Sequence, residues 1–273
     1  MIIKKERTKV RFFVFSIYLY QTKVIKMSDE KFKFPTEVVE LPSKGLVYPE
    51  DNPLSSGTIE MKYMTAKEED ILTNQNYIKD GTVLDRLMKS LIVSKINYDD
   101  LIVGDKNAIM VASRILGYGK DYTFKYGGEE VTVDLTTLDP KFLDESKVTK
   151  GENKFQFTLP TTKAVIEFKL LNNKDERAIK QEIKGLKKLD KTGSFDLSTR
   201  LKQMIVSVDG NEEKSAIREF VDNYMLARDS RALREYIKSF QPDIDLTFTF
   251  ESSNGTLEEI ALPVTVNFFW PDA

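Results

Sequence analysis

Apolar residues recur along this 273-residue chain with two periods, about 3.6 and 2, and their alternation predicts an α+β protein. Leu84, Leu87, Met88, Leu91 and Ile92 share one helical face, as do Ile109, Ala112 and Leu116. Asp105 is placed to act as N-cap of the second of these helices, and Gly117 and Gly119 supply the left-handed positions that stop it. Thr65 and Glu68 have capping-box spacing, so a helix is expected from there to about Tyr77, broken before the next by Asp80-Gly81. These segments form a helical cluster over 65–117. Further on, Asn173 and Glu176 open a very polar helix with a thin stripe of Ile179, Ile183 and Leu186, interrupted by Gly185. Fuller stripes follow in Ile217, Phe220, Val221, Tyr224 and Met225, and in Leu233, Tyr236, Ile237 and Phe240, with Asp229-Ser230 between them.

Period-two alternation marks the strands. One runs through Ile59, Met61 and Tyr63; two more lie at 154–159 and 163–171, around Pro160. Gly127-Gly128 suits a two-residue turn and places Phe124 opposite Val131 and Tyr122 opposite Val133, apolar against apolar. A second hairpin joins Ile244, Leu246, Phe248 and Phe250 to Ile260, Leu262, Val264 and Val266. A tight Asn254-Gly255 turn would set Phe250 against Glu259. Matching the apolar faces instead pairs Phe250 with Ile260 and Phe248 with Leu262, across a loop of three or five residues. Pro263 then opposes Thr247, which suggests a sheet edge or bulge.

Punctuation divides the chain. Residues 1–26 are an N-terminal extension, 27–60 an extended Pro-rich arm, 61–171 a helical cluster with a hairpin and strands, and 172–273 a helical segment ending in the second hairpin. Pro35, Pro42, Pro49 and Pro53 prevent a continuous helix in the arm. Two subdomains are expected to meet near 172. In the extension, basic residues precede the aromatic run Phe12–Tyr20, which is too short to span a bilayer and has a poor cleavage site at Gln21-Thr22-Lys23. Met27-Ser28-Asp29-Glu30 reads as the better start; a genuine N-terminal arm or an inefficient signal are the alternatives.

Composition narrows the chemistry. The chain has no cysteine and no histidine, which removes thiol nucleophiles, thiolate metal sites and the usual general base. The net charge is −2, yet residues 1–26 carry seven basic groups against Glu6 alone, so the remainder carries −8 and offers no broad basic surface for nucleic acid. Neither a phosphate-binding glycine loop nor a calcium loop is spelled out. Asp99-Asp100, Glu68-Glu69-Asp70, Glu129-Glu130 and Glu258-Glu259 are the carboxylate candidates. A glycosidase needs two carboxylates roughly 5–10 Å apart across a cleft, and adjacency in sequence does not provide that. Gly117-Tyr118-Gly119-Lys120 reads as a helix C-cap. No cofactor, metal or small-molecule substrate is expected.

Four blocks, in order, resemble the baseplate hub proteins of T-even-type contractile-tailed bacteriophages. They are Leu41-Pro42-Ser43-Lys44-Gly45 (continuing to Tyr48), Gly104–Tyr122, Pro242-Asp243-Ile244-Asp245 and Phe268-Phe269-Trp270-Pro271. The resemblance spans about 41–271. It implies a non-enzymatic structural subunit of a phage tail baseplate, in the virion and in the host cytoplasm during assembly, acting by contact with other baseplate and tail proteins in an oligomeric assembly. A tail assembly chaperone that leaves before maturation is the second reading, and a carboxylate-based cell-wall hydrolase the third.

Members of that family look as if they carry Cys-x-x-Cys knuckles at the two hairpin tips, as in a zinc ribbon. Here the tips read Tyr126-Gly127-Gly128 and Ser252-Ser253-Asn254-Gly255, so zinc-ribbon-like hairpins without metal ligands are expected, held by packing instead. Candidate interface residues are Leu41, Pro42, Lys44, Leu46 and Tyr48 in the arm, Ile179, Ile183 and Leu186 on the thin-striped helix, and Phe268, Phe269 and Trp270 in the aromatic tail.

Overall fold

A computed structural model describes residues 35–251, 255 and 257–269. Residues 1–34, Ser252, Ser253, Asn254 and Trp270 lie outside the described residues, and with them the N-terminal extension, most of the second hairpin tip and the tryptophan of the tail.

The Pro-rich segment is not a free arm. Strand β1 (Thr36–Glu40) pairs antiparallel with β2 (Thr58–Lys62), setting Val39 opposite Ile59, and the intervening residues fold back in tight turns. Val39, Leu41, Val47, Tyr48, Leu54, Ile59 and Met61 are all buried. Proline excludes regular helix here, but the apolar residues between the prolines still draw the segment into the core.

The capping box forms as expected: the Glu68 carboxylate accepts from Thr65 N (3.1 Å) at the start of α1 (Ala66–Leu72). The helix does not run on to Tyr77, because Asn74 accepts from the N–H groups of Asn76 and Tyr77 and starts a new helix, α2 (Gln75–Lys79). Helix α3 (Val83–Leu91) buries Leu87, Met88 and Leu91. Helix α4 (Val103–Tyr118) goes further than its one-sided stripe suggests. Ala108 through Arg114 are buried without a break, so α4 is covered all round and is the central helix of the fold. Its far end is closed by Gly119 in a positive-φ conformation and by Arg114, whose guanidinium donates to the carbonyls of Gly119 and Asp121, both at 3.0 Å.

Strands β3 (Asp121–Tyr126) and β4 (Glu129–Asp134) form the first hairpin in the expected register, Phe124 opposite Val131 and Tyr122 opposite Val133, with both turn glycines at positive φ. A short strand β5 (Pro140–Lys141) follows, then β6 (Phe155–Thr158) and β7 (Val165–Phe168). Helix α5 (Asn173–Leu189) is capped by Asn172 and Asp175. The next two elements lack a clear sequence pattern: α6 (Asp196–Met204) and β8 (Ile205–Val208), which completes the antiparallel sheet β6-β7-β8.

Helix α7 (Lys214–Glu219) passes into a π-turn at Phe220–Tyr224, and α8 (Ala227–Phe240) follows. Asp229 therefore does not separate two helices. It sits in the first turn of α8, buried, and accepts the N–H groups of Thr161 and Thr162 at 2.7 and 3.0 Å. That bond ties α8 to the β6–β7 turn, while Tyr236 stacks on Phe157 and Phe240 meets Phe155 and Phe168 above the sheet.

The chain then crosses back. Strand β9 (Asp243–Ile244) pairs with β5, and β10 (Thr247–Glu251) with β11 (Leu257–Ala261), before the short terminal helix α9 (Val266–Phe269). In this second hairpin Phe248 faces Ile260 and Phe250 faces Glu258, two residues from the expected register. Glu259 faces Thr249 and not Phe250, so the strands do not take the register of a tight Asn254-Gly255 turn. A two-residue slip keeps every side chain on its face, and Phe250 finds its apolar neighbour on the other hairpin rather than across its own strands. Pro263 falls beyond the ladder and does not interrupt it.

The architecture is α+β: nine helices and small antiparallel ladders among the described residues. The residue 172 boundary of the sequence is not a boundary in space, since one continuous core joins residues from Val39 to Phe269. Its tightest crossing is at Gly104. A Cβ there would lie 1.8 Å from the Pro242 carbonyl oxygen and 2.6 Å from its carbon. Gly104→Ala should therefore destabilise the protein by about 3 kcal/mol or more, at or above the upper end of ordinary overpacking, because backbone cannot rotate away as a side chain can. Chemical denaturation of the variant beside Gly81→Ala, which meets nothing within 4 Å but has its own positive-φ strain, checks this.

Candidate functional site

The loop 41–48 turns sharply, with φ of 52° at Lys44 and 76° at Gly45. Gly45 also lies where a Cβ would come within 2.4 Å of the Ser55 carbonyl oxygen, so only glycine fits. The turn aims Ser43 and Tyr48 at one carboxylate. Asp105 accepts Ser43 N (2.9 Å), Ser43 Oγ (2.7 Å) and the Tyr48 hydroxyl (2.6 Å), and the Tyr48 oxygen in turn accepts Ile102 N (3.1 Å). Asp105 is thus not the N-cap of α4. Ile102 occupies that position, and Asp105, three residues in, is spent on a segment about 60 residues upstream.

All four sequence blocks are joined through α4 and the strand after it, the first and third at the start of the helix and the fourth beyond its far end. Ser43 and Tyr48 bond to Asp105; Gly104 touches Pro242; Asn107 Nδ2 donates to Asp243 at 2.8 Å; and Tyr122 packs edge-on against Phe268 at 4.8 Å while donating to the Pro263 carbonyl. Burial pushes the Asp105 carboxyl up from its ordinary 3.8 to about 6, against the opposing bonds from Tyr48 and Ser43, and nearby Asp243 adds to the rise.

Elsewhere five of the paired carboxylates are engaged structurally. Asp99 is clasped by both terminal nitrogens of Arg177, and Asp100 accepts from Asn52 and Asn97. Burial raises the Glu68 carboxyl, but bonds from Lys62, Ser90 and Thr65 outweigh it and hold the group at about 2. Glu69 accepts from Tyr118 and Glu258 from Tyr126, while Glu130 and Glu259 are exposed on separate hairpins. These residues do not assemble a dyad across a cleft. Asp105, the carboxyl with a raised pKa, is fully enclosed. Among the described residues no cluster of three or more acidic groups could hold a metal, and no helix is long and apolar enough to cross a membrane.

One cavity of about 320 Å³ opens between the end of α3 and residues 92–99, lined by Lys89, Ile92, Ser94, Ile96, Asn97, Tyr98 and Asp99. Its polar groups are already committed. Tyr98 donates to Asp85, which also holds Lys106 at 2.6 Å; Lys89 lies 4.0 Å from Asp99; and Ser94 Oγ accepts Glu60 N.

The two hairpins pack against each other through aromatic rings. Phe124 meets Phe248 at 5.7 Å and Tyr126 meets Phe250 at 5.7 Å, both edge-on, and Tyr126 donates to Glu258 at 3.1 Å. Most of the expected interface residues belong to the protein's own core. Leu41, Pro42, Tyr48, Ile179, Phe268 and Phe269 are buried, because the arm and tail close on α4 rather than projecting from it. Leu46, Ile183 and Leu186 are half-buried, and Lys44 is exposed, paired with Glu145 at 2.9 Å. The Asp105 cluster, the Arg114 cap and the hairpin–hairpin contact had no local signature. The nearest sequence signal was a lone acidic residue inside an otherwise apolar helix.

No family profile matches the chain, and no curated protein or solved structure matches it either.

This geometry has two measurable consequences. The raised pKa means that folding takes up a proton at Asp105 between about pH 4 and 6. This contribution to stability is fully present below pH 4 and is lost as the pH rises through 6. Asp105→Asn should flatten that part of the stability–pH curve, whereas Asp105→Ala should cost about 1–3 kcal/mol for each donor left unpaired; urea titrations from pH 4 to 7 separate the two. For the hairpins, a double-mutant cycle of Phe124→Ala and Phe248→Ala should give a coupling of about 0.5–1.5 kcal/mol. Additive losses would show that the rings do not stabilise the pairing.

Proposed function

We propose that this protein is a non-enzymatic structural subunit of a contractile-tail baseplate, working by protein–protein contact. The observation that supports this reading is that the four resemblance blocks, scattered from Leu41 to Phe269, form one buried junction along α4, the first and third packed at its start and the fourth on Tyr122 just past its end. A subunit that works as a scaffold needs such internal joints, and here they fall on the blocks that carry the likeness. The junction holds elements in place and presents no reactive group to solvent.

The contact surfaces differ from the expected ones. With the arm and Phe268-Phe269 committed to the core, neighbours are met by what remains outside: Val38 on β1, Leu189 at the end of α5, Tyr224 and Leu226 around the end of the π-turn, and Leu257 on β11. The test is the composition of the particle. Quantitative mass spectrometry of intact purified tails should find this chain in fixed stoichiometry with other baseplate proteins. Its presence in assembly intermediates but not in mature tails would replace this reading with an assembly chaperone.

A further inference from the structure

Helix α5 sorts its charges by face. All three of its acids turn inward to form ion pairs with other elements: Asp175 with Lys169 (2.7 Å), Glu176 with Arg200 (2.5 Å) and Glu182 with Arg218 (3.6 Å). Arg177 is spent on Asp99. The five lysines, Lys174, Lys180, Lys184, Lys187 and Lys188, are exposed, and none forms an ion pair within 4 Å among the described residues, although Lys174 lies near enough to Asp99, and Lys180 to Asp85, to help hold those carboxyls low. At about 100° per residue they fall within an arc of about 140° that excludes all three acids, and they extend about 21 Å along the helix. Lys187 and Lys188 suit the negative end of the helix dipole, whereas Lys174 stands in the first turn, where a cation is disfavoured and nearby Asp99 offsets the cost.

The edge of this arc carries a second anomaly. Gly185 sits in mid-helix, exposed, with no atom within 4 Å of where a Cβ would be. Nothing among the described residues calls for glycine there, although it weakens the helix by about the full Ala-to-Gly difference in propensity. Exposed Ala178 and Gln181 lie on the same row, at the spacings that put residues on one helical face. Gly185 stands beside Lys184 and one turn before Lys188, and leaves room there for a closely approaching acidic helix.

We propose that the outer face of α5 docks an acidic amphipathic α-helix of a partner protein, its backbone passing over Gly185 and its carboxylates meeting the lysines. This deepens the scaffold reading, and rests on it only in expecting protein neighbours. A protein partner fits better than nucleic acid: the chain is net acidic, its one arginine on this helix is occupied, and no aromatic residue lies on this face for stacking.

The experiment uses the full chain and a labelled 20-residue helical peptide with glutamates spaced three and four apart, read by fluorescence anisotropy against salt. Binding should appear at low ionic strength and weaken as salt rises. Lys184→Glu with Lys187→Glu should weaken it at least tenfold. Gly185→Ala should raise the melting temperature by about 2–4 °C while weakening binding, a pairing that a purely structural glycine would not give. The proposal is overturned if the peptide does not bind at low salt, if the charge-reversed variant binds equally well, if Gly185→Ala leaves affinity unchanged, or if a 20-nucleotide single-stranded DNA displaces the peptide at equal concentration. Because no particle is needed, failure here leaves the composition of the tail as a separate question.

Discussion

A single buried carboxylate sets the terms for much of this fold. Asp105 lies near the start of the central helix, with no solvent to neutralise its desolvation cost, and its acceptor sites must be filled from within. Ser43 and Tyr48 fill them, and to do so the loop 41–48 must adopt its tight, positive-φ turn. The Tyr48 oxygen then receives the free Ile102 N–H at the helix entrance. One acid thereby fixes the helix entrance, the loop and the β1–β2 pair that the loop connects.

The other side of α4 is held by close approach rather than by charge. Gly104 lets the backbone at Pro242 pass within contact distance, and Asn107 bonds Asp243 next to it. From there the second hairpin is delivered onto the first. Two-stranded hairpins are marginal alone, so each depends on what covers its apolar face. A zinc ribbon solves this with metal–thiolate bonds. Here interleaved aromatic rings and the Tyr126–Glu258 bond hold the hairpins together, and Tyr122 carries the contact on to Phe268 and α9.

This internal economy bears on function. The Pro-rich segment and the Phe268-Phe269 pair look available for docking when read in sequence, but their burial leaves recognition to smaller exposed features. Isolated apolar residues on β1, β11 and the π-turn, and the lysine face of α5, are the surfaces a neighbour can reach.

Local rules settled a definite part of this protein from sequence alone. The α+β class, the α3 and α4 helices, the Thr65–Glu68 capping box and the register of the first hairpin all follow from periodicity, caps and a glycine turn, which act within a few residues. The absence of cysteine and histidine likewise removes thiolate and imidazole chemistry on composition alone. Tertiary structure decided the rest, because it depends on groups far apart in the chain. Asp105 has an N-cap's composition but is drawn to Ser43 and Tyr48; Asp229 reads as a helix breaker but serves Thr161 and Thr162; the second hairpin takes its register from the first. The length of α1 turned on whether Asn74 would cap a new turn, and the role of the arm on whether α4 would be covered on every side. Residue type and spacing reveal what a side chain can do locally. Which distant partner satisfies it is decided only when the core closes and water is excluded.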